Sequence, residues 1–352
     1  MPRNQIAPPR NPKSTKRIIW IDYAKIIGLY LVIFAHCYNS EGKDASNIIR
    51  TLIYGFHMPL FFMISGMLWK KRDSLKEAIQ KNFLSLFIPW LIFNVIIATI
   101  FAFTKHNGNL LESLLVIPKN VYHGLDGPAH SSWFILVLFA IRTLYDIVAQ
   151  YKLEKLAVIV ALLVSTADAF CNTILGKYFI PRRFFIASIV IGFTFFGLGK
   201  ILFHLYNKIE TKRFILILLS MGCIIMSCLI TSINGKISTS SAYMGKSPLL
   251  FYLNAILGSS GIIFLSKFFN NPKLNRAAST ISNASIAIVL VHPFFVEIAK
   301  YVKNEFITSK ILMFILYFFS SILIYIVCVG VYQVTSKKIP WIWGKINKNK
   351  PN

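Results

Sequence analysis

Charged residues are scarce in this 352-residue chain. They make up 14% of the sequence, against 55% hydrophobic residues, and the mean hydropathy is +0.60. A water-soluble globule cannot bury that much apolar surface. The composition therefore excludes a soluble protein and predicts that the chain resides in a lipid bilayer.

Acidic residues are the scarcer of the two charged classes. The chain has 13 Asp and Glu against 38 Lys and Arg, which gives a net charge of +25. A nucleic-acid-binding surface gathers such charge into one patch or stripe, whereas here the basic residues form short clusters between long apolar runs. Such clusters are typical of topology determinants in membrane proteins, so nucleic acid is not an expected partner.

Three other features are missing. The five cysteines show no metal-binding or redox spacing, so we expect small core residues and no metal site. No small-residue cleavage motif follows the first apolar segment, which is long enough to span a bilayer and is expected to remain as an anchor. No internal repeat of the kind found in many secondary transporters is visible.

The hydropathy pattern predicts an all-α polytopic membrane protein with about ten transmembrane helices. Assigning Lys and Arg to alternate sides places about 24 with the two termini and about 12 opposite, which predicts cytoplasmic termini. The expected organisation is a basic tail over 1–17, a membrane domain over 18–335 and a second basic tail over 336–352. The apolar segments lie near 18–38, 48–69, 83–104, 131–150, 156–172, 183–203, 213–233, 247–269, 281–301 and 311–335.

The first span carries three ionisable residues, Asp22, Lys25 and His36. Such a residue costs about 2.5–3.5 kcal/mol at the centre of a membrane helix, so each is a functional candidate. Lys25 and His36 share one helix face about 16 Å apart, with Asp22 within about 40° of it. Two interpretations are open: an interfacial Asp22–Lys25 pair with His36 near the outer headgroups, or a functional polar face running across the membrane.

Histidines also occur in the second and ninth spans. His57 precedes Pro59, and His292 precedes Pro293, so the backbone near each histidine is loosened by a proline. Ser65, near the end of the second span, is small enough to let a helix or a ligand approach closely. Each histidine alone is compatible with a hydrogen-bonded packing residue, but three in separate spans indicate a lined cavity.

The fourth span begins with Trp133 and carries Arg142 deeper inside. Trp133 is compatible with a membrane-interface anchor, and Arg142 either pairs with a carbonyl or Asp146 or binds an anionic ligand. Arg182 and Arg183 begin the sixth span on the predicted outer side. They either contact lipid headgroups or form an outward-facing site for an anionic acceptor.

Five motifs in order resemble the membrane acyltransferase-3 family, and most of all its fucose 4-O-acetylase-like branch. The resemblance covers nearly the whole chain and is most specific in the first two motifs. They are "RIIWIDYAKIIGLYLVIFAH" (17–36), "FHMPLFFMISGML" (56–68), "WFILVLF" (133–139), "FYLNAILGSSGIIFLSKFF" (251–269) and "SIAIVLVHPFF" (285–295).

The resemblance implies a ten-helix core in a bacterial cytoplasmic membrane. It implies transfer of an acyl group, usually acetyl from acetyl-CoA, to a hydroxyl of a cell-surface glycan or its lipid-linked precursor. Many members carry an Arg-x-x-Arg pair before the third span, where this chain has only Lys81. The family motif residues matched here are Lys25 with His36, Ser65 with Gly66, and Ser285 with His292.

Acyl transfer to a hydroxyl requires a general base with a pKa near neutral or a nucleophile that first accepts the acyl group, and imidazole serves as either. We therefore expect His36 to be catalytic. The expected catalytic residues are His36, Asp22, His57 and His292. The residues expected to bind coenzyme A are Lys25, Arg142, Lys71, Arg72 and Lys81. The residues expected to bind the substrate are Trp133, Ser65, Arg182 and Arg183.

A rival interpretation is a polytopic transporter or flippase for an anionic glycan or lipid, in which the same buried residues form a conduit. A second rival retains the enzyme but changes the acyl group, for example to succinyl. A receptor or structural membrane protein does not explain ionisable residues at such depth. The acceptor sugar, the membrane face on which transfer ends and the oligomeric state are left open by the sequence.

Overall fold

The described part of the chain is almost entirely helical in the computed structural model. It contains no β-strand, and its one antiparallel bridge joins Ser238 and Tyr243. The predicted all-α class is therefore confirmed. The structure describes residues 17–38, 48–105, 108–125, 132–269, 271–306 and 310–345.

The helices follow the predicted apolar segments closely, with short helices between some of them. A π-helical stretch, Phe83–Phe87, joins α3 to α4, and a 3₁₀ turn, Arg183–Phe185, precedes α8. The α-helices are α1 Ile19–Cys37, α2 Ile48–Met67, α3 Leu75–Asn82, α4 Ile88–Lys105, α5 Leu110–His123, α6 Trp133–Gln150, α7 Glu154–Leu175, α8 Ile186–Lys208, α9 Arg213–Asn234, α10 Pro248–Phe268, α11 Asn275–Ser282, α12 Ser285–Phe306 and α13 Lys310–Lys338.

Eight helical stretches in the described ranges are long and apolar enough to cross a membrane, and a ninth follows if α11 and α12, bent by 66°, count as one span. This set does not include α2, although its 20 residues rise about 30 Å, the thickness of a bilayer core. The polytopic character is confirmed. The number ten and the cytoplasmic termini stay predictions; of the predicted tails, residues 1–16 and 346–352 lie outside the described residues.

Burial divides the helices into an inner and an outer group. In α1, α8 and α10, 61%, 61% and 67% of the spanning window is buried, whereas in α7, α9 and α13 the share is 22–28%. Lipid tails are as apolar as leucine, so the bundle depends on close packing more than on hydrophobic exclusion. The inner helices are therefore the scaffold on which a site can be held.

Glycines bring α2 and α8 into close contact. A Cβ atom at Gly66 would lie 1.8 Å from the carbonyl oxygen of Phe196, and one at Gly199 would lie 2.1 Å from that of Met63. Small residues of this kind let membrane helices approach backbone to backbone. The contact fixes the position of α2, and with it the side chain of the neighbouring Ser65.

Candidate active site

Three histidines from separate helices line one cavity of about 90 Å³, which we call the histidine cavity. It lies where the C-terminal turn of α1 meets the N-terminal end of α6 and the turn between α9 and α10. The three histidines therefore share a cavity, as their presence in separate spans indicated. The lining residues are Val32, His36, Tyr54, His57, Met58, Phe61, Trp133, Phe134, Ser238, Thr239, Ser240, Val289 and His292.

The aromatic rings in this cavity form a continuous chain of contacts. The ring centroids of His36 and His292 lie 5.4 Å apart, and those of His36 and Tyr54 lie 6.0 Å apart. Tyr54 in turn lies 5.0 Å from His57. His57 and His292 are 5% and 1% exposed, so the polar groups of the cavity are held away from bulk water.

Local backbone contacts set the tautomers of two histidines. His57 Nδ1 lies 2.8 Å from the carbonyl oxygen of Ile53, and His292 Nδ1 lies 2.7 Å from that of Ile288. A carbonyl oxygen only accepts hydrogen bonds, so in both rings Nδ1 carries the proton and, in the neutral imidazole, Nε2 is the acceptor. The Nε2 atom of His292 is buried with no hydrogen-bond partner in the described structure.

Trp133 belongs to the cavity wall. It is 7% exposed and stacks on Phe185, with ring centroids 6.1 Å apart and planes inclined by 24°. An interface anchor would instead present its indole to lipid headgroups. Trp133 therefore packs inside the bundle and lines the histidine cavity, and its predicted contact with substrate stays a prediction.

A second cavity, of about 190 Å³, carries two basic side chains, and we call it the cationic cavity. Lys25 of α1 and Arg142 of α6 contribute the charges, while Ser65 and Ser285 contribute hydroxyls. The remaining wall is apolar and comes from Leu29, Phe61, Ile64, Leu68, Leu86, Phe134, Ile135, Leu138, Ile286 and Val289. Leu86 belongs to the π-helical stretch, a feature often found at functional sites.

The cations of this cavity do not pair with the acidic residues nearest to them in sequence. Among the described residues, neither Lys25 nor Arg142 forms an ion pair, and the Nε atom of Arg142 is buried without a hydrogen-bond partner. Both cations are half-buried, and a cation in a largely apolar wall is stabilised by an anion. This charge arrangement is compatible with a negatively charged ligand.

The predicted Asp22–Lys25 pair is corrected by the structure. The carboxylate of Asp22 accepts from Arg17 Nε at 2.6 Å and from the Ser279 hydroxyl at 3.3 Å, and Arg17 also donates to Asn283 Oδ1 at 3.1 Å. Asp22 thus anchors the start of α1 to α11 and lies outside the lining of both cavities. Its expected catalytic role has no support from this placement.

The alternative pairing of Arg142 with Asp146 is corrected in the same way. Asp146 accepts from the indole nitrogen of Trp69 at 2.7 Å and from the Asn82 amide at 2.8 Å. These bonds hold α6 to α3 and to the end of α2. Asp146 is therefore hydrogen-bonded to neutral donors and, among the described residues, forms no ion pair with the guanidinium of Arg142.

Three side chains belong to both cavities and separate them. Phe61, Phe134 and Val289 line each cavity, and the rings of Phe61 and Phe134 lie 6.0 Å apart. Phe61 packs on Gly28 of α1, where a Cβ atom would lie 3.0 Å from the ring. We call these three residues the partition. Among the described residues, they are the ones that line both the cationic cavity and the histidine cavity.

The other predicted coenzyme-binding residues lie outside the cavity linings. Lys71 donates to the carbonyl oxygen of Ala149 at 3.1 Å, and Arg72 is 3.7 Å from Glu77. Lys81 is exposed at the end of α3. Leu68 of the cationic cavity lies three residues before Lys71 in the non-helical stretch after α2, so Lys71 and Arg72 follow that cavity closely in the chain.

The predicted acceptor residues Arg182 and Arg183 are engaged elsewhere. Arg182 pairs with Asp168 at 2.8 Å and lies 3.6 Å above the ring of Tyr178, while Arg183 lies 4.9 Å from the ring of Tyr122. Neither lines a cavity. Their contacts hold the loop that places Phe185 against Trp133, so any influence of these arginines on the site is indirect.

Sequence reasoning missed the partition and the hydroxyl-bearing turn of the histidine cavity. Ser238, Thr239 and Ser240 line that cavity, and they come from the short stretch "ISTSSAYMGKS" (237–247) between two apolar segments. A run of four hydroxyl residues in so short an outer loop is a visible feature of the sequence. Tyr54, also missed, is one helical turn before His57.

In the described part of the chain, no group of three or more His, Cys, Asp or Glu side chains is placed to hold a metal ion. No curated protein and no solved structure matches the chain. The model of the acyltransferase-3 family, described as an acyltransferase domain, matches residues 18–332. Because this match covers most of the sequence, the protein belongs to the acyltransferase-3 family of membrane acyltransferases.

Proposed function

We propose that this protein transfers an acetyl group from acetyl-CoA to a hydroxyl of a cell-surface glycan or its lipid-linked precursor, in a bacterial cytoplasmic membrane. One observation carries the proposal. A cavity with two cations and no carboxylate adjoins a cavity with three imidazoles, and only Phe61, Phe134 and Val289 are common to both. The fucose 4-O-acetylase-like proteins remain the branch that the sequence motifs most resemble.

The cationic cavity suits the donor. Lys25 and Arg142 offer positive charge to phosphate oxygens, and the apolar wall suits the pantetheine arm. A cavity of about 190 Å³ is too small for the nucleotide, which therefore stays at the approach to the cavity, near Lys71 and Arg72. The arm extends from Lys25 along α1 and passes between the side chains of the partition, over the rise of about 16 Å that separates Lys25 from His36, so that the thioester enters the histidine cavity.

The histidine cavity suits the chemistry. The acceptor oxygen attacks the thioester carbonyl, its proton passes to an imidazole, and the thiolate of coenzyme A leaves and is protonated in turn. His36 serves as that base, or first accepts the acetyl group on its ring nitrogen and passes it to the acceptor. The Nε2 atoms of His57 and His292 are the additional polar groups near the reacting atoms.

The test uses purified protein in lipid nanodiscs with radiolabelled acetyl-CoA. The acceptor is de-O-acetylated surface glycan from a strain that lacks this protein. We expect labelled acetyl on the glycan together with free coenzyme A, and a corresponding loss of O-acetyl groups from the surface of the deletion strain. A transporter or flippase would show neither product, and that result would overturn the proposal.

A further inference from the structure

A hydroxyl-rich turn closes one end of the histidine cavity. Residues 235–247 connect α9 to α10, and we call them the outer turn. Ser238, Thr239 and Ser240 of this turn line the cavity together with the three histidines. None of the roles assigned above involves these hydroxyls.

Hydrogen bonds hold the outer turn in one conformation. The Asn234 side chain donates to the carbonyl oxygen of Met244 at 2.8 Å and accepts from the backbone N–H of Ser247 at 2.8 Å. Ser238 and Tyr243 exchange two backbone bonds of 2.9 and 2.8 Å. A binding group is most effective when its support is already ordered, and this turn meets that condition.

A contact with the bundle fixes the turn at the cavity. The Ser188 hydroxyl of α8 donates to the carbonyl oxygen of Ser240 at 2.8 Å. Ser238 is also engaged, since its hydroxyl accepts from Ser241 at 2.8 Å. These bonds leave Thr239, between the two serines, as the residue whose hydroxyl is not used by the turn itself.

The hydroxyl of Thr239 is buried and has no hydrogen-bond partner in the described structure. The residue is 4% exposed, and its Oγ1 atom is unpaired. The Nε2 atom of His292, which lines the same cavity, is likewise buried without a hydrogen-bond partner in the described structure. Buried polar groups are almost always hydrogen-bonded, so two unpaired groups around one cavity indicate a ligand that supplies their partners.

We propose that Thr239 and His292 together recognise a hydroxyl of the acceptor that neighbours the reacting hydroxyl, whose own proton passes to His36. A sugar hydroxyl donates one hydrogen bond and accepts others. It donates to Nε2 of His292, whose proton is on Nδ1, and it accepts from the hydroxyl of Thr239. Thr239 is thus a specificity-determining residue, and the outer turn is the part of the chain that selects the acceptor.

The remaining lining of the histidine cavity agrees with a neutral ligand. Its ionisable side chains are the three histidines and Tyr54, with no lysine, arginine or carboxylate. Arg50 lies 4.8 Å from the Tyr54 ring but is not part of the lining, so an anionic acceptor group would meet no cation on the cavity wall itself, in contrast to the cationic cavity. The class of ligand is therefore a neutral polyol, such as a sugar ring with free hydroxyls, and this inference rests on the proposed acetyl transfer.

The test compares Thr239→Val, Thr239→Ser and Thr143→Val in the nanodisc assay with de-O-acetylated glycan. The Thr143 hydroxyl is also buried without a partner, but Thr143 lines neither cavity, which makes it a matched control. We expect Thr239→Val to lower kcat/KM for the glycan about tenfold, as the loss of one good hydrogen bond implies. The KM for acetyl-CoA stays unchanged, Thr239→Ser restores most of the activity, and Thr143→Val behaves as wild type.

Each other result has a definite meaning. Wild-type kinetics for Thr239→Val would overturn this inference and leave acetyl transfer intact. An equal loss for both substrates, or a loss that serine does not rescue, would assign Thr239 a structural role and also overturn it. If the wild-type protein transfers no acetyl group, the proposed function fails and this inference fails with it.

Discussion

The imidazole rings of His36 and His292 lie 5.4 Å apart, although one belongs to the last turn of α1 and the other to the middle of α12. The two rings are positioned by different contacts. His292 is oriented by the carbonyl oxygen of its own helix, while His36 also contacts the ring of Tyr54. Two imidazoles at this separation can contact neighbouring hydroxyls of one sugar, so that in the proposed transfer His36 is the base and His292 orients the acceptor.

Replacing His36 with alanine is expected to lower acetyl transfer to the glycan by about 10²–10⁴-fold, the usual contribution of a general base. The membrane level of the protein stays unchanged because His36 is half-buried and lines a cavity, so the substitution removes few packing contacts. His204→Ala, an exposed histidine on α8, is the matched control. A well-expressed His36 variant with wild-type turnover would remove this residue from the chemistry.

A rapid denaturing quench at neutral pH separates the two roles open to His36, because acid would hydrolyse an acetylated imidazole. If the ring carries the acetyl group, wild-type protein mixed with labelled acetyl-CoA and no glycan retains label, and His36→Ala does not. If the ring acts only as a base, neither protein retains label while the wild type still transfers acetyl when glycan is added.

Lys25→Gln is expected to raise KM for acetyl-CoA about tenfold, because a cation without a protein counter-ion is lost from the phosphate side of the donor. The same variant should use S-acetylpantetheine, which lacks phosphates, as well as the wild type does. Lys155→Gln, an exposed lysine at the start of α7, controls for the general loss of positive charge. Equal losses of activity with acetyl-CoA and with S-acetylpantetheine would show that Lys25 does not bind the phosphates.

Phe61→Ala is expected to widen the passage between the two cavities by removing one of the two aromatic rings of the partition. Water then enters beside the pantetheine arm and reaches the thioester, so coenzyme A release without glycan rises severalfold while transfer to glycan falls. Phe61→Leu keeps most of the apolar volume and should leave both rates near wild type. If Phe61→Ala releases no additional coenzyme A, the partition does not separate donor from water.

Gly66→Ala is expected to destabilise the protein by about 1–3 kcal/mol, the usual cost of overpacking. The new Cβ would lie 1.8 Å from the Phe196 carbonyl oxygen, so α2 and α8 must separate. Gly222→Ala is the control, since nothing lies within 4 Å of a Cβ there. Thermal unfolding in detergent should show a lower Tm only for the Gly66 variant, and equal Tm values would contradict the assigned contact.

Much of the site was predictable because ionisable residues are rare in membrane segments. His36, His57 and His292 could be assigned to one cavity because each sits in a different span and each is costly to leave in lipid. Lys25 and Arg142 could be assigned to an anion for the same reason. The structure brings the histidines together in one cavity and the two cations together in another.

Polar partners within the bundle were not predictable in the same way. Sequence spacing favoured Asp22 with Lys25, because both lie on one helix face, but Asp22 pairs with Arg17 and Ser279. Asp146 likewise binds Trp69 and Asn82. Which donor reaches a carboxylate depends on the helix packed beside it, and spacing within one helix carries no such information.

The sequence by itself determined the environment of the chain, its all-helical class and the depth of its ionisable side chains, because hydropathy and helical rise are local quantities. Only the tertiary structure decided that Phe61, Phe134 and Val289 stand between the two cavities and that Thr239 closes one of them. Apolar side chains that face lipid and those that face a cavity are alike in sequence. The packing of the helices alone distinguishes them.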